Sequence, residues 1–85
     1  MYQLRYHKQA VKVLTRMPRG VAADIRAELT LIAKNPSAYR GDWKPLAGTS
    51  FWRLRVGGWR AICEFHDQEL ILLVIKIGAR GDVYK

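Results

Sequence analysis

The sequence predicts an α+β domain in which a helical hairpin packs on one face of a small antiparallel sheet, in the order β-α-α-β-β-β. Two observations carry that reading. Before residue 35 the apolar residues recur at helical spacing, and after residue 50 they alternate as in strands. Gly57-Gly58 separates two of the alternating runs, which is the mark of a tight β-hairpin.

Each element follows in order. Tyr2, Leu4 and Tyr6 alternate with Gln3 and Arg5, predicting a short first strand over 2–6. From about Lys8 to Met17, residues Ala10, Val11, Leu14 and Met17 fall at helical spacing. Pro18 interrupts and suits the first turn of a second helix, where its missing N–H has no partner to lose. That helix carries Val21, Ala22, Ile25, Leu29 and Ile32 on one stripe, and Asn35-Pro36 stops it. The segment 35–50, with Gly41, Pro45 and Gly48, reads as an ordered connecting loop. Strands are expected over Phe51–Val56 and Trp59–Phe65, then over Glu69–Ile77 after a turn at Asp67-Gln68.

The 85 residues suit one domain spanning 1–85. No apolar run approaches the roughly 18 residues of a membrane span, and the first residues lack the apolar core of a signal peptide. A single cysteine excludes an intramolecular disulfide framework. The expectation is a cytoplasmic protein with no membrane partner. Fifteen Lys and Arg against seven Asp and Glu leave a net charge of +8. With a pI near 10.2, this is the electrostatic footprint of a nucleic-acid binder. Nine of the fifteen cations are Arg, whose planar fork matches phosphate oxygens. Between Trp43 and Ala61 stand Lys44, Arg53, Arg55 and Arg60, with no acid among them.

Counting outward from the Gly57-Gly58 turn sets the hairpin register: Val56 faces Trp59, Arg55 faces Arg60, and Arg53 faces Ile62. One sheet face then collects Trp52, Leu54, Val56, Trp59, Ala61 and Cys63 for the helices. The other collects Arg53, Arg55 and Arg60, with Glu64 further along. Two arginines directly opposite repel, so Glu64, another carboxylate or a bound anion should sit between them. The last strand is apolar on both faces, and two helices cover only one. Its other side, with Ile71, Leu73 and Ile75, is therefore expected to meet a protein partner.

The chain offers no metal cluster, no phosphate-binding glycine loop and no nucleophile with a plausible triad, so no cofactor or metal is expected. Cys63 points to the helices and reads as a buried structural thiol. An arginine cluster with a tyrosine can hold a phosphodiester, offset the charge developing on it and move a proton. RNA brings its own nucleophile, the 2′-OH, so no protein nucleophile or metal is needed. Arg80 and Tyr84 can join the same face if the last strand runs back beside the hairpin. Tyr84 is then the candidate general base, its phenolate favoured by neighbouring guanidinium groups.

The chain resembles the RelE/ParE toxin superfamily of toxin–antitoxin modules over nearly its whole length. The resemblance is carried by Lys44-Pro45-Leu46-Ala47-Gly48, by Phe51 to Ile62, and by Val74 to Tyr84. It implies the same β-α-α-β-β-β fold and a RelE-like, ribosome-dependent endoribonuclease that cuts mRNA by 2′-OH attack. By implication Lys44, Arg53 and Arg55 position RNA, Arg60 and Arg80 stabilise the transition state beside Arg55, and Tyr84 handles the proton. The partners implied are a cognate antitoxin, the ribosome with its mRNA, and operator DNA through the antitoxin complex. The best-known RelE members carry lysines where this chain has Arg53 and Arg55. Arginine does not serve as a base, which moves the proton transfer onto Tyr84. The alternative implied is a ParE-like toxin that inhibits DNA gyrase by binding.

Overall fold

The computed structural model describes residues 1–79. Strand β1 (Gln3–Tyr6) leads into α1 (Lys8–Arg16) and α2 (Arg19–Lys34). A single 3-10 turn (Pro36–Ala38) precedes β2 (Trp43–Pro45), β3 (Phe51–Val56), β4 (Trp59–His66) and β5 (Ile71–Ala79). The fold is α+β, with the predicted order of β1, two helices and three later strands.

Two features depart from the expected small antiparallel sheet. The sheet is mixed and has five strands, ordered β1-β5-β4-β3-β2. After the helical layer, the β3–β4–β5 meander walks back across the sheet and reaches β1 running the same way. The pair is therefore parallel, with Leu4 opposite Leu72 and Tyr6 opposite Val74. This places β5, the most apolar strand, between two neighbours. The other departure is β2, which lies in the predicted loop and pairs with β3 at the opposite edge. Lys44 and Pro45 are residues that discourage further pairing at an open edge.

Local chemistry explains the helix ends. His7 caps α1, its Nδ1 accepting from the Gln9 N–H at 3.2 Å. Pro18 stands just before α2, and the Asn35 N–H closes its last turn on the Leu31 carbonyl at 3.2 Å. Helix α1 runs against its own electrostatics. Lys8, Lys12 and Arg16 repeat every fourth residue, and its first turn holds no acid. Each like-charged pair at that spacing costs about 0.2–0.5 kcal/mol, and Lys8 sits at the end where the helix dipole disfavours a cation.

The core lies between the helices and one sheet face. Ala10, Leu14, Ile25, Leu29 and Ile32 pack on Leu54, Ala61, Cys63, Leu72, Val74 and Ile77, and no charged residue is buried among them. The strand after the Asp67-Gln68 turn begins at Ile71 rather than Glu69. The turn continues through Leu70, which takes the left-handed backbone at φ 53°. Further along, Ile62 pairs with Lys76 but Cys63 with Val74, so Ile75 bulges out of the ladder. Simple alternation would turn Lys76 inward and Ile77 outward. The bulge reverses both: Ile77 is buried in the core and Lys76 joins the side away from the helices.

Candidate functional site

The helix-free face of the sheet is built by the β3–β4 hairpin. Every cross-strand pair expected from the Gly57-Gly58 turn is present: Val56 with Trp59, Arg55 with Arg60, Leu54 with Ala61, Arg53 with Ile62 and Trp52 with Cys63. Gly57 adopts φ 59°, the conformation such a turn requires and a side chain resists. Lys44 lies beside Arg53 on β2, and Lys76 lies beside Ile62 on β5. A row Lys44–Arg53–Ile62–Lys76 therefore crosses the sheet, with Arg55–Arg60–Gly78 next to it. Ile62 is 6% exposed yet outside the helical core, with Arg53 and Lys76 as its cross-strand neighbours. Arg5 occupies the same face, opposite Leu73.

The counter-charge at this pair comes from Asp42 and not from Glu64, and of the two facing arginines it reaches Arg55 alone. One Asp42 oxygen bonds Arg53 Nη2, and the other accepts from Arg55 Nε at 3.1 Å. The Asp42 backbone carbonyl accepts the Arg55 N–H at 3.0 Å, which fixes the aspartate against the strand. Arg53 lies down under this clamp with its side chain 17% exposed, whereas Arg55 stays 49% exposed. Since Asp42 takes only Nε of Arg55, the terminal nitrogens of that fork remain for a ligand. Among the described residues, no carboxylate pairs with Arg60, Lys44 or Lys76.

Glu64 belongs to a separate group. It accepts from Ser50 Oγ and meets His66 Nε2 at 3.1 Å. The Ser50 bond holds its carboxyl below the usual range; partial burial opposes this, and His66 adds to the lowering. Towards this end the face also carries Ile71 and Leu73, half-buried, with Ile75 at the bulge. No described helix covers them.

Sequence reasoning missed Asp42, Lys76 and Arg5. Asp42 lies outside any periodic segment, and only the bulge turns Lys76 to this side. Arg5 was legible, since strict alternation in the first strand places it opposite Leu4 and Tyr6. Arg80 and Tyr84, expected to complete the site, lie outside the described residues. The β4–β5 register does bring Gly78 opposite Arg60 and Ala79 opposite Trp59, so the chain leaves the described sheet beside the arginine pair.

None of the three described tyrosines is shifted toward its phenolate. Burial and a 2.5 Å bond to Glu28 push the Tyr39 phenol up. Tyr6 is raised chiefly by burial, and Tyr2 by its bond to Asp67. The Cys63 thiol is pushed up to about 12 by burial, consistent with an inert core residue. No cluster of three metal-ligating side chains occurs among the described residues. No described helix is long and apolar enough to cross a membrane.

Comparison with known proteins gives this face its context. Residues 4–84 match the family model described as the ParE toxin of the type II toxin–antitoxin system parDE. A curated RelE-like toxin protein of Escherichia coli is 24% identical over 85 residues, covering 98% of this chain and 90% of that one. The structure is similar to RelE in the archaeal RelE–RelB complex from Pyrococcus horikoshii OT3. The TM-score is 0.80 at 25% identity, over 95% of this chain and 97% of that one. The isolated E. coli RelE toxin shares the fold with a TM-score of 0.78 at 19% identity, over 99% and 92% of the two chains. With a family model matched over nearly its full length, the chain belongs to the RelE/ParE superfamily of toxins of type II toxin–antitoxin systems.

Proposed function

We propose that this toxin is a ribosome-dependent endoribonuclease that cleaves mRNA without a metal or cofactor. The observation that carries the reading is the facing pair Arg55 and Arg60 on the helix-free side of the sheet, with Lys44 and Arg53 beside it. Two guanidinium groups held opposite each other at a solvent-facing surface are stabilised by an anion between them. A phosphodiester supplies one, with two non-bridging oxygens to accept.

In this mechanism Lys44, Arg53 and the terminal nitrogens of Arg55 hold the RNA backbone. Arg60 and Arg80 donate to the non-bridging oxygens of the scissile phosphate, where charge grows in the transition state. Tyr84, as phenolate, takes the proton of the 2′-OH. The 2′-oxygen bonds to phosphorus, the bond to the 5′-oxygen breaks, and that oxygen takes up a proton from water. The products are a 2′,3′-cyclic phosphate and a 5′-OH end. Programmed ribosomes supply the strand in an orientation that aligns the 2′-OH with its leaving group.

The apolar end of the same face, with Ile71, Leu73 and Ile75, is the proposed contact for a cognate antitoxin. Support comes from the similar RelE chain in the Pyrococcus horikoshii complex, which is bound to RelB. Operator DNA would be reached through that antitoxin, and the setting would be cytoplasmic.

The test is primer extension on a defined mRNA after adding purified toxin, with and without programmed ribosomes. Cuts that need ribosomes and vanish in Tyr84→Phe are expected. Intact mRNA in both arms, from folded toxin free of antitoxin, would overturn the reading. The match to the ParE family model favours gyrase inhibition by binding as the second reading, and a supercoiling assay tests it.

A further inference from the structure

The helical side of the molecule carries a basic surface that the cleavage site does not use. No Asp or Glu occurs before Asp24, while Lys8, Lys12 and Arg16 form one exposed stripe along α1. At 1.5 Å per residue the stripe covers about 12 Å of the helix. Charge on α2 is sorted as well. Arg19 and Arg26 line a hollow of about 340 Å³ beside Thr15 at the end of α1. Asp24 and Glu28 lie on the other flank, where Glu28 is engaged by Tyr39. The acids are thus turned away from the stripe and the cations toward it. Among the described residues none of these five cations has an ion-pair partner.

A solvated face kept only for solubility would mix charges of both signs. Helix α1 instead tolerates two like-charged pairs at i, i+4 and a lysine at its positive end. Only Arg16, in the last turn, sits where the helix dipole favours a cation; the rest of the local electrostatics is set against the helix, which is the pattern of a binding surface.

We infer that the α1 stripe, continued by Arg19 and Arg26 around the hollow, binds the phosphate backbone of folded RNA. The inference rests on the proposed ribosome-dependent activity and adds a second contact on the opposite side of the sheet from Arg55 and Arg60. The helices cover one sheet face and the arginine pair lies on the other. One molecule can then grip structured RNA with its helical side while its sheet side holds the strand to be cut. Evenly spaced lysines and an arginine on a rigid helix suit backbone phosphates, and they offer no means of reading base identity.

The test is fluorescence anisotropy of a labelled RNA hairpin titrated with full-length toxin at several salt concentrations. The stripe variant Lys8→Gln/Lys12→Gln/Arg16→Gln keeps good helix formers and removes the repulsion, so its melting temperature should equal or exceed the parent's. Its hairpin affinity should fall at least about tenfold, and the salt dependence (log K against log[salt]) should flatten by about 2–3, as when three phosphate contacts are lost. Arg40→Gln in parallel, a cation outside both surfaces, should leave hairpin binding largely intact. Unchanged affinity and salt dependence in the stripe variant would overturn the inference. So would a loss confined to anionic vesicles or to an acidic antitoxin peptide, each measured alongside. If the parent cuts no mRNA yet loses hairpin affinity with the stripe, the cleavage reading fails and the second surface stands.

Discussion

The two faces of the sheet are made from the same strands and solve opposite problems. On the helix side, Leu54, Ala61, Cys63, Leu72, Val74 and Ile77 are almost wholly buried against α1 and α2, with no charge enclosed. On the open side the alternate residues of the same strands are Arg53, Arg55, Arg60, Ile62 and Lys76. Period-two geometry lets one hairpin anchor the core and display cations at once. The difference teaches that stability and chemistry are separated by the thickness of one sheet. A substitution on one side should leave the property of the other side nearly untouched.

The strongest way to break that comparison is to open the core. Leu29→Ala removes a fully buried side chain and should cost about 2–5 kcal/mol in urea unfolding. At temperatures where the variant remains folded, its specific cleavage rate should match the parent. Loss of rate without loss of stability would show that the faces are coupled.

The converse is Arg60→Ala, on the open face. Cleavage should drop by about a hundredfold to a thousandfold, the usual cost of one transition-state donor, with the melting temperature essentially unchanged. Arg80→Ala is expected to behave likewise, and a collapse of folding in either variant would make that arginine structural.

Asp42→Asn sharpens the boundary, because both ion pairs of Asp42 lie on the open face. Its two ion pairs are partly exposed, so stability should fall by no more than about 1 kcal/mol. Cleavage should fall further than stability, since Arg55 loses the partner that orients it. Asp42→Glu should restore part of the rate; equal rates for parent and Asn variant would mean the clamp does not serve the site.

Smaller effects concern pH. Tyr39 has its phenol raised in the folded state, so the stability it contributes is complete below the ordinary tyrosine range, about pH 10, and lost as pH rises through the raised value. Tyr39→Phe should remove about 1 kcal/mol at neutral pH and flatten the alkaline end of a stability–pH curve. Glu64 has the opposite sign. Its carboxyl is lowered by Ser50 and His66, so its contribution is present above the ordinary carboxylate range and fades as pH falls through the lowered value. Glu64→Gln should therefore lessen the drop in melting temperature on acidification below about pH 4.

The hairpin shows how much is legible in the sequence alone. A two-glycine turn leaves one register that keeps Arg53, Arg55 and Arg60 out of the core, and every pair of that register is present. The need for a counter-charge at Arg55 and Arg60 was equally legible, because it follows from the register alone. Its identity was not. Asp42 and Glu64 are both acids near the hairpin, and which one reaches the arginines depends on β2 docking beside β3. The bulge at Ile75 left no mark in the apolar run either, since Ile75 and Ile77 satisfy a strand pattern in any alternation.

By itself, the sequence determined the α+β class, the helical hairpin, the β3–β4 register and the excess of cations on one side of it. All of these rest on interactions a few residues apart, where spacing and turn chemistry leave few alternatives. Tertiary structure alone decided the parallel β1–β5 pair, the added edge strand, the bulge that turns Lys76 outward and the choice of Asp42 as clamp. The parallel pair joins Gln3 to Ile71 across most of the chain. The edge strand and clamp, though near in sequence, come from a segment with no periodic pattern. The free energy of each lies in packing and pairing that local pattern does not encode.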